Sequence, residues 1–223
     1  GEDKAVLIDT GTRCADLDKI VGQITGKPLE VIVTHMHPDH AGCIKYFDKV
    51  WMHRADTVLV PQHAADYQGE FLYMEEGQVF DLGGRKLEVA WMPGHTPGSV
   101  VLLDKANGDC YSGDAFGSGE VWLQCVPMSP IATFHESCCR MEKLMKEGHI
   151  KDIWCGHYPY LKSSLPLAYI QTMIRISHRL MNGDQEGSEP YSNYFIKMPP
   201  TARKLAEGRA MIVYDSTNIP EAR

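Results

Sequence analysis

Short apolar runs separated by polar, glycine-bearing turns recur along the chain. Ala5–Ile8 is apolar and ends at Asp9-Thr10-Gly11, which predicts a strand and the turn that stops it. Over residues 13–24 the apolar positions Leu17, Ile20, Val21 and Ile24 recur at spacings of three and four, the stripe of an amphipathic helix. Residues 29–33 read as a buried strand, 41–47 as a short helix and 49–52 as a short strand. No clean period runs through 54–77, where Phe71-Leu72-Tyr73-Met74 is read either as core or as a flap. Residues 79–91, with Gly83-Gly84 in the middle, predict a hairpin, and 99–104 with 109–112 predict another. Helices are predicted over 134–146 and 166–181, and a strand over 150–155. A polar loop over 182–191 and a final strand over 209–214 complete the order. Strands alternating with helices place the chain in the α/β class.

Composition narrows the partners. At 223 residues the chain is expected to be one domain with a core of its own. A net charge of −7 is poor footing for a phosphate backbone, so no nucleic-acid partner is expected. No apolar run reaches the length that spans a bilayer, and no signal-peptide pattern is visible, so no membrane partner is expected. The seven cysteines (14, 43, 110, 125, 138, 139 and 155) are odd in number and show no framework spacing. Reduced thiols and a cytoplasmic location follow as expectations. The expected partner is a small-molecule substrate, with oligomeric state left open.

The strand over 29–33 runs into His35-Met36-His37-Pro38-Asp39-His40. With 10 histidines in 223 positions, such a run arises by chance in roughly one shuffled sequence in a thousand, so it is a signal. Residues 35, 37 and 39 point to one side of an extended backbone, and Pro38 starts a turn that lets His40 aim elsewhere. Such a segment can offer ligands to two adjacent metal ions, for which imidazole and carboxylate are the standard donors. Further candidates sit at other predicted strand ends: His95 in Pro93-Gly94-His95-Thr96-Pro97-Gly98-Ser99, Asp114 in Ser112-Gly113-Asp114, and His157 in Cys155-Gly156-His157. His53, His63, His135, His149 and His178 are read as surface or core histidines.

These motifs, together with Leu7-Ile8-Asp9-Thr10-Gly11, resemble in order the metallo-β-lactamase superfamily of metallohydrolases, in the group of hydroxyacylglutathione hydrolases and lactonases. The resemblance covers residues 6 to about 158 and loosens afterwards, leaving 158–223 as a C-terminal elaboration. It implies an αββα sandwich, with two mixed sheets face to face and helices outside. Family members carry a hairpin before the first strand seen here, so strands N-terminal to residue 1 are expected to be missing. Position by position, the resemblance implies that His35, His37 and His95 hold one metal ion, that Asp39, His40 and His157 hold another, and that Asp114 bridges them. Asp9 corresponds to a structural aspartate. The implied cofactors are two divalent metal ions, zinc first, with iron or manganese as alternatives.

The implied activity is hydrolysis of a small ester, thioester, lactone or amide by a hydroxide shared between the metals. Asp39 would take up a proton as the tetrahedral intermediate collapses. Phe116, Trp122, Tyr158, Tyr160 and Lys162 are weighed as pocket residues. A glutathione thioester is not expected. Arg175, Arg179, Arg203 and Lys204 are available, but no stretch matches the basic C-terminal pattern of the hydroxyacylglutathione hydrolases. The rival reading is an iron-dependent redox enzyme on the same scaffold, similar to persulfide dioxygenases.

Overall fold

A computed structural model of the chain describes residues 1–117, 119–123, 129–157, 162–194 and 197–220. The first sheet is β1 (Ala5–Ile8), β2 (Leu29–Ile32), β3 (Lys49–His53) and β4 (Glu70–Met74), in that order and parallel throughout. The second sheet has the order β10 (Asp152–Cys155), β8 (Asp109–Gly113), β7 (Val100–Asp104), β6 (Lys86–Trp91), β5 (Val79–Asp81). It is antiparallel except where β10 pairs with β8. The two expected hairpins join β5 to β6 and β7 to β8. The first turns at Gly83 and Gly84, both at positive φ, the conformation a two-residue turn of this kind requires.

Side-chain alternation sorts three packed layers. Ile32, Val100 and Leu102 face the space between the sheets, with Met74, Phe80, Leu82, Leu87 and Val89. Their neighbours Val31 and Val33 point outward, against the chain over 36–64. Val101 and Leu103 point to the other outside face, against α4 (Ile131–Lys146) and α5 (Leu167–Met181). With both faces covered, β7 is buried at every position, and so it reads as a continuous apolar run. α4 buries Phe134, Cys138, Met141 and Met145, and α5 buries Ile170, Met173, Ile176 and Leu180, the i/i+3/i+4 stripes expected of them. The αββα arrangement is therefore present.

Other features depart from the sequence reading. A third sheet, in the order β11 (Glu189–Pro190), β12 (Ala202–Glu207), β13 (Ala210–Asp215), β9 (Glu120–Trp122), packs Leu205, Ile212 and Tyr214 into the α4/α5 core. Only β13 was expected. The helix expected over 41–47 is two pieces: α2 (Pro38–Ala41), then a 3-10 turn over Ile44–Tyr46. Proline at the first turn of α2 has no amide hydrogen to waste, so the helix starts early and already contains Asp39 and His40. Between Arg54 and His63 the chain forms a 3-10 helix and α3 (Val60–His63). The Phe71–Met74 stretch is no flap: it lies in β4, paired to β3. α1 (Leu17–Ile24) is shorter than its apolar stripe and buries only Val21.

Candidate metal centre

Every sequence-predicted donor lies just past a strand of the two main sheets, on the same end of the sandwich. The structure gathers them into two groups. His35, His37 and His95 form one, and Asp39, His40, Asp114 and His157 the other; within each, the donor atoms lie within 4.8 Å of one another.

In the first group the rings of His35 and His95 are 4.8 Å apart and those of His37 and His95 4.6 Å. His95 Nδ1 donates to the Trp122 carbonyl (2.8 Å), so a neutral ring turns its Nε2 lone pair inward, 2.9 Å from His37 Nδ1. His35 Nδ1 meets Thr34 Oγ1 at 3.1 Å, which leaves Nε2 facing the group. Burial lowers the pKa of all three rings, and neighbouring histidines lower those of His35 and His37 further, His37 to about 3. Neutral imidazoles are the form that binds a metal ion.

In the second group Asp9 does the orienting. At the end of β1 it takes a positive φ of 60° and turns its carboxylate back. Oδ1 accepts the Thr34 amide (2.7 Å), while Oδ2 accepts Thr34 Oγ1 (2.9 Å) and His40 Nδ1 (2.7 Å). His40 Nε2 thereby points inward, 3.5 Å from Asp114 Oδ2. Burial opposes the His40 charge, but Asp9, and after it Asp114, hold its pKa above the ordinary range. His157 Nε2 lies 3.0 Å from Asp114 Oδ2 and 3.2 Å from Asp39 Oδ2, and these two carboxylates push its pKa up to about 10. Asp114 Oδ2 is also 4.0 Å from His95 Nε2, so this carboxylate reaches both groups. Gly156 lets the backbone come this close: a Cβ there would sit 2.5 Å from His40 Cε1.

The donors fit divalent metal ions by more than their type. His35 Nε2, His40 Nε2 and Asp114 Oδ1 are buried with no hydrogen-bond partner among the described residues. One such atom costs about 1–3 kcal/mol, and here three converge on one place. Cations would satisfy all three.

Phe116 is fully buried in the core, and Tyr169 OH donates to its carbonyl at 2.6 Å. Trp122 touches the site through its backbone carbonyl, while its indole donates to Glu120 (2.9 Å). Tyr158 and Tyr160 lie outside the described residues, and Lys162 is exposed. Arg175 pairs with Glu207, Arg179 with Asp184 and Lys204 with Glu189, while Arg203 donates to Ser188. His53 stacks on Trp91. His63, read as a bystander, brings its ring to 5.8 Å from that of His37. Two residues in the site's support were missed, Thr34 and the buried Asp56. Thr34 follows a clear strand, so its neighbourhood gave a signal; Asp56 lies where the pattern was unreadable. Cys14, Cys43, Cys110, Cys138, Cys139 and Cys155 are free thiols, and Cys125 lies outside the described residues. No helix among the described residues is long and apolar enough to cross a membrane.

Comparison with known proteins adds independent findings. A family model described as the metallo-beta-lactamase superfamily matches residues 1–135. The chain is 26% identical over 197 residues to acyl-coenzyme A thioesterase MBLAC2 of Homo sapiens, covering 71% of this chain and 70% of that one. It is 27% identical over 173 residues to a hydroxyacylglutathione hydrolase of Aeromonas salmonicida, covering 75% and 62%. Among solved structures, TTHA1623 in a di-iron-bound form aligns with a TM-score of 0.57 at 27% identity, covering 73% of this chain and 84% of that chain. The metallo-beta-lactamase family protein TTHA1429 from Thermus thermophilus aligns at 0.61 with 19% identity, covering 82% and 75%, a likeness of fold.

Proposed function

The chain belongs to the metallo-β-lactamase superfamily, and from that premise we propose that it is a binuclear metal-dependent hydrolase of a small thioester. The observation that carries the proposal is the convergence of seven donor side chains around three buried atoms that lack partners. In this reading His35, His37 and His95 hold one ion, Asp39, His40 and His157 hold the other, and Asp114 spans them. Divalent ions bound there supply Lewis-acid polarisation of a carbonyl and lower the pKa of water toward neutrality. Zinc is the ion this donor set suits first, and the di-iron-bound neighbour keeps iron as the alternative.

The chain's own residues then have distinct tasks. Asp9 and Thr34 hold His40 and His35 in the orientations described above. Asp39 is the most exposed member of the second group, 47% exposed at its side chain, and stands nearest the solvent. Attack of the water oxygen on the acyl carbon releases one proton to solvent. As the tetrahedral intermediate collapses, the Asp39 carboxylate takes up the remaining hydroxyl proton, the carbon–sulfur bond breaks, and that proton passes to the departing sulfur, giving a carboxylate and a thiol. Burial raises the Asp39 pKa, but the hydrogen bond with His157 and the charge of His40 together hold it below the ordinary range, the ionised form a proton acceptor needs.

Thioesters are favoured within the wider class of esters, lactones and amides because an acyl-coenzyme A thioesterase and a hydroxyacylglutathione hydrolase are both among the relatives. The test is a panel on zinc-loaded protein: short acyl-coenzyme A thioesters, lactoylglutathione, p-nitrophenyl esters, lactones and cephalosporins. Turnover of thioesters should exceed that of the oxygen esters by about tenfold or more in kcat/KM. Equal or better turnover of lactones or cephalosporins contradicts the thioester assignment. Oxygen consumption with a persulfide, dependent on iron, would replace hydrolysis altogether.

A further inference from the structure

Asp56 sits in the 3-10 helix Arg54–Leu59 that follows β3, and its carboxylate is completely buried. Burying a carboxylate costs several kcal/mol unless hydrogen bonds answer every lone pair, so its partners reveal its task. Oδ2 accepts the Met36 amide at 2.8 Å and the Thr96 hydroxyl at 3.0 Å; Oδ1 accepts the Gly98 amide at 2.6 Å. Met36 is the residue between His35 and His37. Thr96 and Gly98 follow His95 on its loop. One carboxylate therefore ties together the two loops that carry all three histidines of the first group.

The local sequence is fitted to this contact. A Cβ at Gly98 would lie 2.6 Å from the Asp56 amide nitrogen and 2.7 Å from its carboxylate, so glycine is what admits the carboxylate to the loop. Ser99 Oγ takes the Thr96 amide (3.0 Å) and meets the Thr96 hydroxyl at 2.8 Å, leaving that hydroxyl's hydrogen for Asp56. Burial pushes the carboxyl of Asp56 up, with the three donors working against that.

We propose that Asp56 is a positioning residue that sets the spacing of His35, His37 and His95 for a metal ion. Its hydrogen bonds go to the loops that carry the histidines and not to their donor atoms. The inference rests on the reading that these histidines hold a metal. In Asp56→Asn one acceptor oxygen becomes an NH2 donor, so it must face either the Met36 or the Gly98 amide, donor against donor. The loops would then part.

The experiment titrates the metal-stripped full chain with Co2+, following its d–d absorption, with affinity set by chelator competition. Asp56→Asn should bind Co2+ about 10–100-fold more weakly, with an altered d–d spectrum. Thr96→Val, which removes one of the three donors, should shift both in the same direction by less. Met141→Ala, a core truncation on α4 remote from these loops, should lower thermal stability while leaving the spectrum unchanged and the affinity within about twofold. Asp56→Asn binding like wild type, or Met141→Ala losing as much affinity, overturns the proposal. Should Asp56→Asn not fold, Thr96→Val decides: wild-type affinity and spectrum in that variant overturn it. A wild-type chain that takes up no Co2+ would overturn the metal reading and this proposal together, whereas a failure confined to the variants overturns this proposal alone.

Discussion

Asp104 shows how a charge is kept where the fold needs it. It ends β7 fully buried, takes Arg85 Nε at 2.6 Å and Asn107 Nδ2 at 2.8 Å, and closes the turn into β8. Burial raises its pKa, but hydrogen bonds from Asn107 and Arg85 outweigh burial and hold it below the ordinary range. Its pKa is thus lower folded than unfolded, so it adds stability above the unfolded value of about 3.9 that is lost as pH falls through the folded one. Urea midpoints of wild type and Asp104→Asn should differ most near neutral pH, with the gap narrowing between about pH 5 and pH 3. A gap that stays constant or widens on acidification would contradict this. The residue scale also divides what the sequence reveals. Asp39 and His40 are legible because they stand beside His35 and His37. Asp56 is not, because its three partners lie 20, 40 and 42 residues away and no local pattern marks it. The Trp122 carbonyl that orients His95 is a backbone atom, which no residue type announces.

Elements differ in the same way. β7, α4 and α5 could be read because burial on both faces, or along one stripe, dictates their composition. β12 reads Ala-Arg-Lys-Leu-Ala-Glu, with buried positions at Ala202 and Leu205 three apart, so its own pattern is not that of a strand. It becomes one by pairing along its whole length with β13. β9 has three residues, too few to show any period, and is held by β13 as well. Met141 illustrates the cost of disturbing a legible element. It is fully buried in the cluster that joins α4, α5 and the second sheet. Truncation to alanine should cost about 2–5 kcal/mol in unfolding free energy, measured by urea denaturation. A loss under about 1 kcal/mol would mean that this interface repacks freely.

Across the whole molecule the sandwich explains why residues from 35 to 157 meet. Parallel β1 and β2 send their C-terminal ends to the same side, and β8 and β10, paired in parallel, do likewise. The turns after them carry Asp9, the His35–His40 run, Asp114 and His157, so the layer packing itself assembles the site. The order of the motifs made this architecture readable; the third sheet, which reaches the site through Trp122, was not. Asp114 is the point where the two donor groups meet, and metal content is what the proposed reading of them predicts. Elemental analysis of zinc-loaded protein after gel filtration, wild type beside Asp114→Ala, measures it directly. The expected result is about two zinc ions per wild-type chain and loss from both positions in the variant, with thioester turnover falling by about 100-fold or more. A wild-type chain that retains no metal, or an Asp114→Ala chain that still retains two, would contradict the proposed joined metal centre.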